Sequence, residues 1–364
     1  MNSGLSDPAI KFGAGRYRQG RGILRDSGDE IRRFGGRVYI LAGPKALEAV
    51  KAPLLESLER AGVAYEVEVY QGFCSYEAAR EQAEKCLAAG CDEVVGVGGG
   101  RIMDFAKAVA EYAGLGVVNI PTSIATCAAF TSMSVMYTPE GAYLESWRYG
   151  HETDAVLVDL DVIAACPPRF AAAGIVDAMA KRIEIPNGCS EIRPEEQDCD
   201  LYTAYRISEY VYEMLENFGP QAVEDIRRGQ VTKAVEYVTF LNIAVTGTVA
   251  NITRSFGQSA LAHMLYYGMR TIFTREAENA LHGEIVGIGL FPQLICNGMD
   301  QEMDRLAEFM ARLRLPFTFP ELGIRIQGEG AARLERYLAD SPYVQKTEIG
   351  IGRFRRAMEK LIQS

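Results

Sequence analysis

Residues Gly96–Ala110, GVGGGRIMDFAKAVA, restrict the fold more than any other stretch of the chain. An apolar run (EVVGVGG) enters three consecutive glycines, and an amphipathic helical pattern (DFAKAVAEYAG) leaves them. A strand, a glycine turn and a helix together make an anion cradle. The first peptide N–H groups of the helix have no internal partner, and the helix dipole is positive there. Gly98, Gly99 and Gly100 read as close-approach positions where a Cβ would block a pyrophosphate. The run is neither GxGxxG after a first strand nor a P-loop, since no GK[ST] follows. Asp104 lies on the helix that the run opens, placed either to cap it or to hydrogen-bond a ribose.

The surrounding pattern extends the same reading. RVYILA (37–42), AYEVEVY, VVNIPTS and AVLVDLDVIAACP read as buried strands, with helices across Ala46–Gly62 and YEAAREQAEKCLAAG between them. Strands alternating with helices of this length predict parallel α/β units. Past Pro167 and Pro168 the strand signal fades. LYTAYRISEYVYEMLENFG, AVEDIRRGQVTKAVEYVTFLNIAVTG and QSALAHMLYYGMRTIF are helical patterns. The expectation is a parallel α/β nucleotide-binding domain over residues 1–163 and an all-helical metal- and substrate-binding domain over 164–364, with no internal repeat.

Composition narrows the function classes. A net charge of -10 argues against nucleic acid as the main partner. No apolar run approaches the ~20 residues that span a bilayer, and the first residues lack a secretory pattern. The eight cysteines form no CxxC pair, so neither a thiolate zinc site nor a disulfide scaffold is favoured. A reduced, cytoplasmic chain acting on a small molecule is the expectation.

The chain has three histidines. His263 (SALAHMLYYG) and His282 (NALHGEIVG) are flanked by alanine and leucine and so face inward, whereas His151 has no such setting. Asp177 sits in an otherwise apolar helical stretch, FAAAGIVDAMAKRIE, where an uncompensated carboxylate would be costly. A cation shared by Asp177, His263 and His282 removes that cost. One carboxylate and two imidazoles suit zinc or iron, with a position left open.

GVGGGRIMDFAKAVA, IPTSIATCAAFTSMSVMYTPEG, AGIVDAMAKRIE, ALAHMLYYG and ALHGE, in that order, resemble the iron-containing (group III) alcohol dehydrogenase family, and within it the glycerol dehydrogenase branch. The resemblance implies the same two-domain fold, a homo-oligomer, and hydride transfer between NAD or NADP and a small alcohol, polyol or hydroxy acid. It assigns Asp177, His263 and His282 to the catalytic metal. It places Gly99, Gly100, Arg101 and Asp104 at the pyrophosphate, Thr122 and Ser123 toward the nicotinamide, and Thr131, Met133 and Tyr137 along the cofactor. A glycerol-1-phosphate dehydrogenase, a 3-dehydroquinate synthase-like lyase and a metal-lacking homologue are the alternatives.

The sequence departs from the resemblance at two places. NAD-preferring relatives carry an aspartate after the first strand, where it binds the ribose. Here Gly43 takes that place, with Lys45 beyond it, which opens the site to the 2′-phosphate of NADP. In the substrate loop, Cys127 replaces the aspartate that meets a polyol, and Phe130 adds apolar bulk. That moves the expectation from glycerol toward a simpler alcohol or a 2-oxo acid. Arg254 is the candidate grip for the acid's carboxylate, or else the partner of a surface acid.

Overall fold

The computed structural model describes residues 9–254 and 257–363. The strands are β1 (Arg16–Gly20), β2 (Arg37–Ala42), β3 (Ala64–Val69), β4 (Glu93–Gly98), β5 (Gly116–Pro121), β6 (Met133–Tyr137), β7 (Tyr143–Arg148) and β8 (Ala155–Asp159). Six of them form one parallel sheet in the order β1-β8-β5-β4-β2-β3, while β6 and β7 pair as a separate antiparallel hairpin. Alternation along β2 shows how the sheet is covered. Val38 and Ile40 join a core with Val50, Leu54 and Leu58 of the helix Pro44–Ala61. Tyr39 and Leu41 face the other way, onto Ala79 and Ala83 of the helix Tyr76–Ala88 and Phe105 of the helix Gly100–Ala113.

The chain runs from β2 outward to β3 and then returns to the other side of β2 to build β4, β5 and β8. The direction of strand addition therefore reverses between β2 and β4. In parallel α/β sheets the ligand crevice lies at the carboxyl ends of the strands at such a reversal. Gly43 follows β2 and the Gly98–Gly100 turn ends β4, and Gly43 N–H donates to Val97 O at 3.1 Å.

No strand follows Asp159 among the described residues. The helical half is built on Pro168–Glu184, Cys199–Arg227, Leu261–Ile272 and His282–Asn297, with Gly328–Ala339 and Glu348–Gln363 packed around them. His282–Asn297 is apolar nearly all round and is buried accordingly. The stretch Lys233–Ile252 is long and apolar enough to cross a membrane by length and composition, but 72% of its most apolar window is buried inside the protein. Its helix takes one π turn at Leu241–Val245.

Local chemistry explains the differences from the sequence pattern. AVLVDLDVIAACP is not one strand. Asp159 ends β8 and its carboxylate accepts from Asp161 N–H at 3.0 Å, capping the helix Leu160–Ala165. AVEDIRRGQVTKAVEYVTF is two helices. Gly229, at φ 65°, terminates the first, and the Thr232 hydroxyl caps the second. The sequence pattern also does not anticipate β1 or β7, whose RYRQG and YLESWR are rich in polar residues.

Candidate active site

Asp177 comes from the middle of Pro168–Glu184, His263 from the first turn of Leu261–Ile272, and His282 is the first residue of His282–Asn297. One ligand atom from each lies within 4.8 Å of the other two. Asp177 Oδ1 is 3.1 Å from His282 Nε2 and 3.5 Å from His263 Nε2. Ligands ~2.0–2.1 Å from a tetrahedral ion stand about 3.3 Å apart, so these two separations match the edges of a coordination polyhedron. Although two imidazoles are this close, the buried Asp177 Oδ1 has no hydrogen-bond partner. It is an orphaned acceptor facing the point that all three ligands share, and the donor set fits a divalent cation. Burial works to raise the Asp177 carboxyl, but His282, His263 and Lys181 outweigh it and hold it well below the usual carboxylate range.

The surroundings fix the ligands. Glu184 is fully buried and accepts from Ala260 N–H (2.6 Å), His263 N–H (3.0 Å) and His263 Nδ1 (2.5 Å). With Nδ1 protonated and held there, Nε2 of His263 keeps its lone pair for an ion. Burial disfavours a charged Glu184, yet the His263 imidazole, Lys181 and the His263 backbone N–H together more than offset it and lower its pKa. Lys181 Nζ lies 3.1 Å from His263 Nε2. At His282, Glu284 accepts from Leu281 N–H at 2.8 Å and is itself gripped by Arg169 through both oxygens, at 2.5 and 2.6 Å. That pins the start of the helix that carries the ligand. The Tyr266 ring stands edge-on to His282, with centroids 4.2 Å apart, and its hydroxyl bonds Tyr137 OH at 2.8 Å.

Asp177, Lys181, His263, Tyr266 and His282 line a cavity of about 320 Å³ between the sheet and the helices. Gly99, Gly100, Arg101, Asp104, Ser123, Cys127, Thr131, Met133 and Tyr137 border the same cavity. At Gly100 an added Cβ would come within 2.7 Å of Thr126 Oγ1, which leaves no room for a side chain at the mouth of the turn. Thr122 N–H closes the turn onto Gly98 O at 2.9 Å. Gly43 and Lys45 stand outside the cavity at the end of β2, with Lys45 exposed on the first helical turn.

Asp104 is buried, with Oδ1 3.1 Å from Lys107 Nζ and Oδ2 accepting from Val135 N–H. Lys107 is 2% exposed and donates to the carbonyls of Ala128 (2.7 Å), Thr131 (3.0 Å) and Met133. It ties the loop after β5 and the start of the β6–β7 hairpin to the glycine helix.

Cys127 borders the cavity, and burial pushes its thiol up to about 11, so it is a neutral group at physiological pH. Two expected substrate residues are placed elsewhere. The Phe130 ring packs against Tyr17, 6.0 Å between centroids, and fills the space over Gly13 and Gly247 in the core. Arg254 does not border the cavity, and its Nη2 pairs with Asp200 at 2.7 Å. His151 is exposed, 3.4 Å from Glu111.

The chain is similar to known proteins in sequence and in fold. Residues 14–159 match the sequence model of iron-containing alcohol dehydrogenases. The chain is 31% identical over 314 residues to a glycolaldehyde reductase of Halobacterium salinarum, covering 85% of this chain and 83% of the relative. It is 30% identical over 313 residues to a glycerol dehydrogenase of Thermotoga maritima, covering 85% and 84%. The crystal structure of a probable glycerol dehydrogenase from Sinorhizobium meliloti 1021 superposes with a TM-score of 0.83 at 25% identity, covering 98% of both chains.

Proposed function

From a chain that belongs to the iron-containing alcohol dehydrogenase family, we propose a metal-dependent oxidoreductase that moves a hydride between NAD or NADP and a small alcohol, and back from the matching carbonyl compound. The observation that carries this reading is the meeting of Asp177, His263 and His282 in the cavity that the Gly99–Gly100 helix N-terminus also borders. A divalent ion, zinc or iron, supplies Lewis-acid polarisation of the substrate oxygen there, and the nicotinamide carries the hydride.

The chain's own residues orient the reactants. Glu184 and Glu284 set the two imidazoles. Gly99 and Gly100 leave space for a pyrophosphate against the free N–H groups of the helix, with Arg101 beside it. Lys107 holds the loop that carries Cys127 and the hairpin that carries Tyr137. Ser123 and Thr122 stand at the carboxyl end of β5, on the nicotinamide side.

Cys127 offers the substrate a weak, neutral hydrogen-bonding group in place of a carboxylate. That favours short aldehydes and simple alcohols over glycerol, in keeping with the likeness to a protein named glycolaldehyde reductase. Arg254, held by Asp200, gives no reason to favour a 2-oxo acid. Gly43 and Lys45 leave the ribose end free of negative charge, so NADP(H) should serve at least comparably with NAD(H).

The test is nicotinamide absorbance in both directions with the ion-loaded enzyme. Short aldehydes, simple alcohols, glycerol and 2-oxo acids are tried with each cofactor. Turnover of a short aldehyde with NADPH is expected. Absence of nicotinamide-linked turnover across the panel would sink the reading.

A further inference from the structure

Arg270 lies on Leu261–Ile272, seven residues after His263 and on the same helix face. It borders the cavity and is 4% exposed. A guanidinium this deeply buried is ordinarily paired with a carboxylate, yet Arg270 forms no ion pair among the described residues. Its Nη1 donates to Ala277 O at 3.1 Å, its Nη2 to Gly141 O at 2.7 Å, and its Nε has no partner. None of the acids that border the cavity with it, Asp104, Asp177 and Glu278, forms an ion pair with Arg270 among the described residues. Asp104 is paired with Lys107, and Glu278 is exposed at the border of the cavity.

The rest of the setting consists of aromatic faces. The Arg270 guanidinium stands 5.4 Å from the Phe73 ring centroid and 5.7 Å from that of Tyr137. Arg101 stands 4.9 Å from the same Phe73 centroid. The hairpin turn closes tightly over the arginine. Gly141 is at φ 91°, and a Cβ there would meet Phe73 at 2.4 Å and Arg270 Nη2 at 2.9 Å. The arginine is thus held by two carbonyls and two aromatic faces, with no carboxylate to balance its charge.

We propose that Arg270 is an anion-binding residue of the cleft, taking a carboxylate or phosphate group that belongs to the substrate or to the nicotinamide dinucleotide. The proposal rests on the cleft being the reaction site and deepens that reading by naming the charge of what enters it. Seven helical residues separate Arg270 from His263 by about 10 Å along the axis.

The experiment is calorimetric titration of the ion-loaded wild-type protein, Arg270→Met and Arg270→Lys with glutarate, inorganic phosphate and NADH, and with the neutral 1,5-pentanediol as control. Methionine keeps the unbranched apolar stem, and lysine keeps the charge without the fork. Arg270→Met should weaken glutarate or phosphate, or else NADH, by about tenfold or more while leaving the diol unchanged. Loss on the small anions with NADH unchanged assigns the group to the substrate. Loss on NADH alone assigns it to a cofactor phosphate.

Equal affinities within about twofold, or an equal loss on the diol, would overturn the proposal. If Arg270→Met does not fold, Arg270→Lys decides by the same comparison, with a smaller but measurable loss on the anion expected and unchanged affinity contradicting it. Because binding is read without turnover, a failure of the redox reading would appear in the absorbance assay and not here.

Discussion

Replacing Glu184 by glutamine tests how the chain prepares its ligands. The carboxylate accepts three N–H donors: Ala260 and His263 N–H at one oxygen, and His263 Nδ1 at the other. Glutamine has one oxygen to offer. If that oxygen faces His263 Nδ1, the amide N–H₂ confronts two backbone donors. If it faces the backbone, the N–H₂ confronts Nδ1–H and pushes the ring toward the tautomer that aims a proton at the ion. Either way at least one charge-assisted hydrogen bond is lost, worth ~1.5–3 kcal/mol. Loss of such a supporting group lowers metal affinity by about ten- to a hundredfold. The assay is competition for zinc between the protein and a chromophoric chelator at fixed pH, with circular dichroism to confirm folding. The Glu184→Gln effect should nearly vanish in a His263→Ala background, since it acts through that imidazole. Zinc affinity of Glu184→Gln within about twofold of wild type, or an undiminished effect without His263, would show that Glu184 does not prepare His263 for the ion.

Three further outcomes are expected. Gly43→Asp should lower the ratio of kcat/KM for NADPH over NADH by about tenfold or more, through repulsion of the 2′-phosphate; an unchanged ratio places the ribose elsewhere. Cys127→Asp should raise kcat/KM for glycerol relative to the best short aldehyde by roughly ten- to a hundredfold, the worth of one hydrogen bond to a charged group, and no relative gain would show that this side chain does not meet the second hydroxyl. Glu93 is buried at the start of β4, and burial, then Asp154 and Asp92, push its carboxyl from 4.5 to about 9. Its contribution to stability is therefore full below about pH 4.5 and is lost as pH rises toward 9, by ~1.4 kcal/mol per pH unit. Glu93→Gln should remove that slope and raise the denaturant midpoint at pH 8 relative to pH 5, and parallel pH profiles would contradict it.

Much of the fold is legible because its signals are local. β2, β4 and β5 are apolar runs bounded by glycine or proline, and Gly98–Gly100 announces a close approach whatever the ligand. The candidate metal ligands are legible because histidine is scarce in this chain and Asp177 is an acid set among alanines. Their supports are hidden by the same helix. Lys181 and Glu184 in DAMAKRIE look like the polar end of a helix, although 177, 181 and 184 share one face at i, i+4 and i+7, and that stripe was the available signal. Lys107 reads as an ordinary helical lysine until its three carbonyl partners, from a loop more than twenty residues away, are seen. Arg254 and Arg270 are equivalent in sequence terms. Only the packing shows that Asp200 takes the first while the second stays unpaired in the cleft. Phe130 follows the same rule: loop position is readable from sequence, side-chain direction is not.

On the function proposed above, an ion held by Asp177, His263 and His282 makes this chain a nicotinamide-linked dehydrogenase. The most direct measurement strips the purified protein with chelator, determines its metal content by mass spectrometry, and follows nicotinamide absorbance with a short aldehyde before and after one equivalent of zinc or ferrous ion is returned. Turnover is expected to disappear with the metal and to return with the ion in wild type, but not in Asp177→Asn that is folded to the same circular dichroism spectrum. Metal-free protein that retains its full rate, or an Asp177→Asn variant restored as well as wild type, would contradict it.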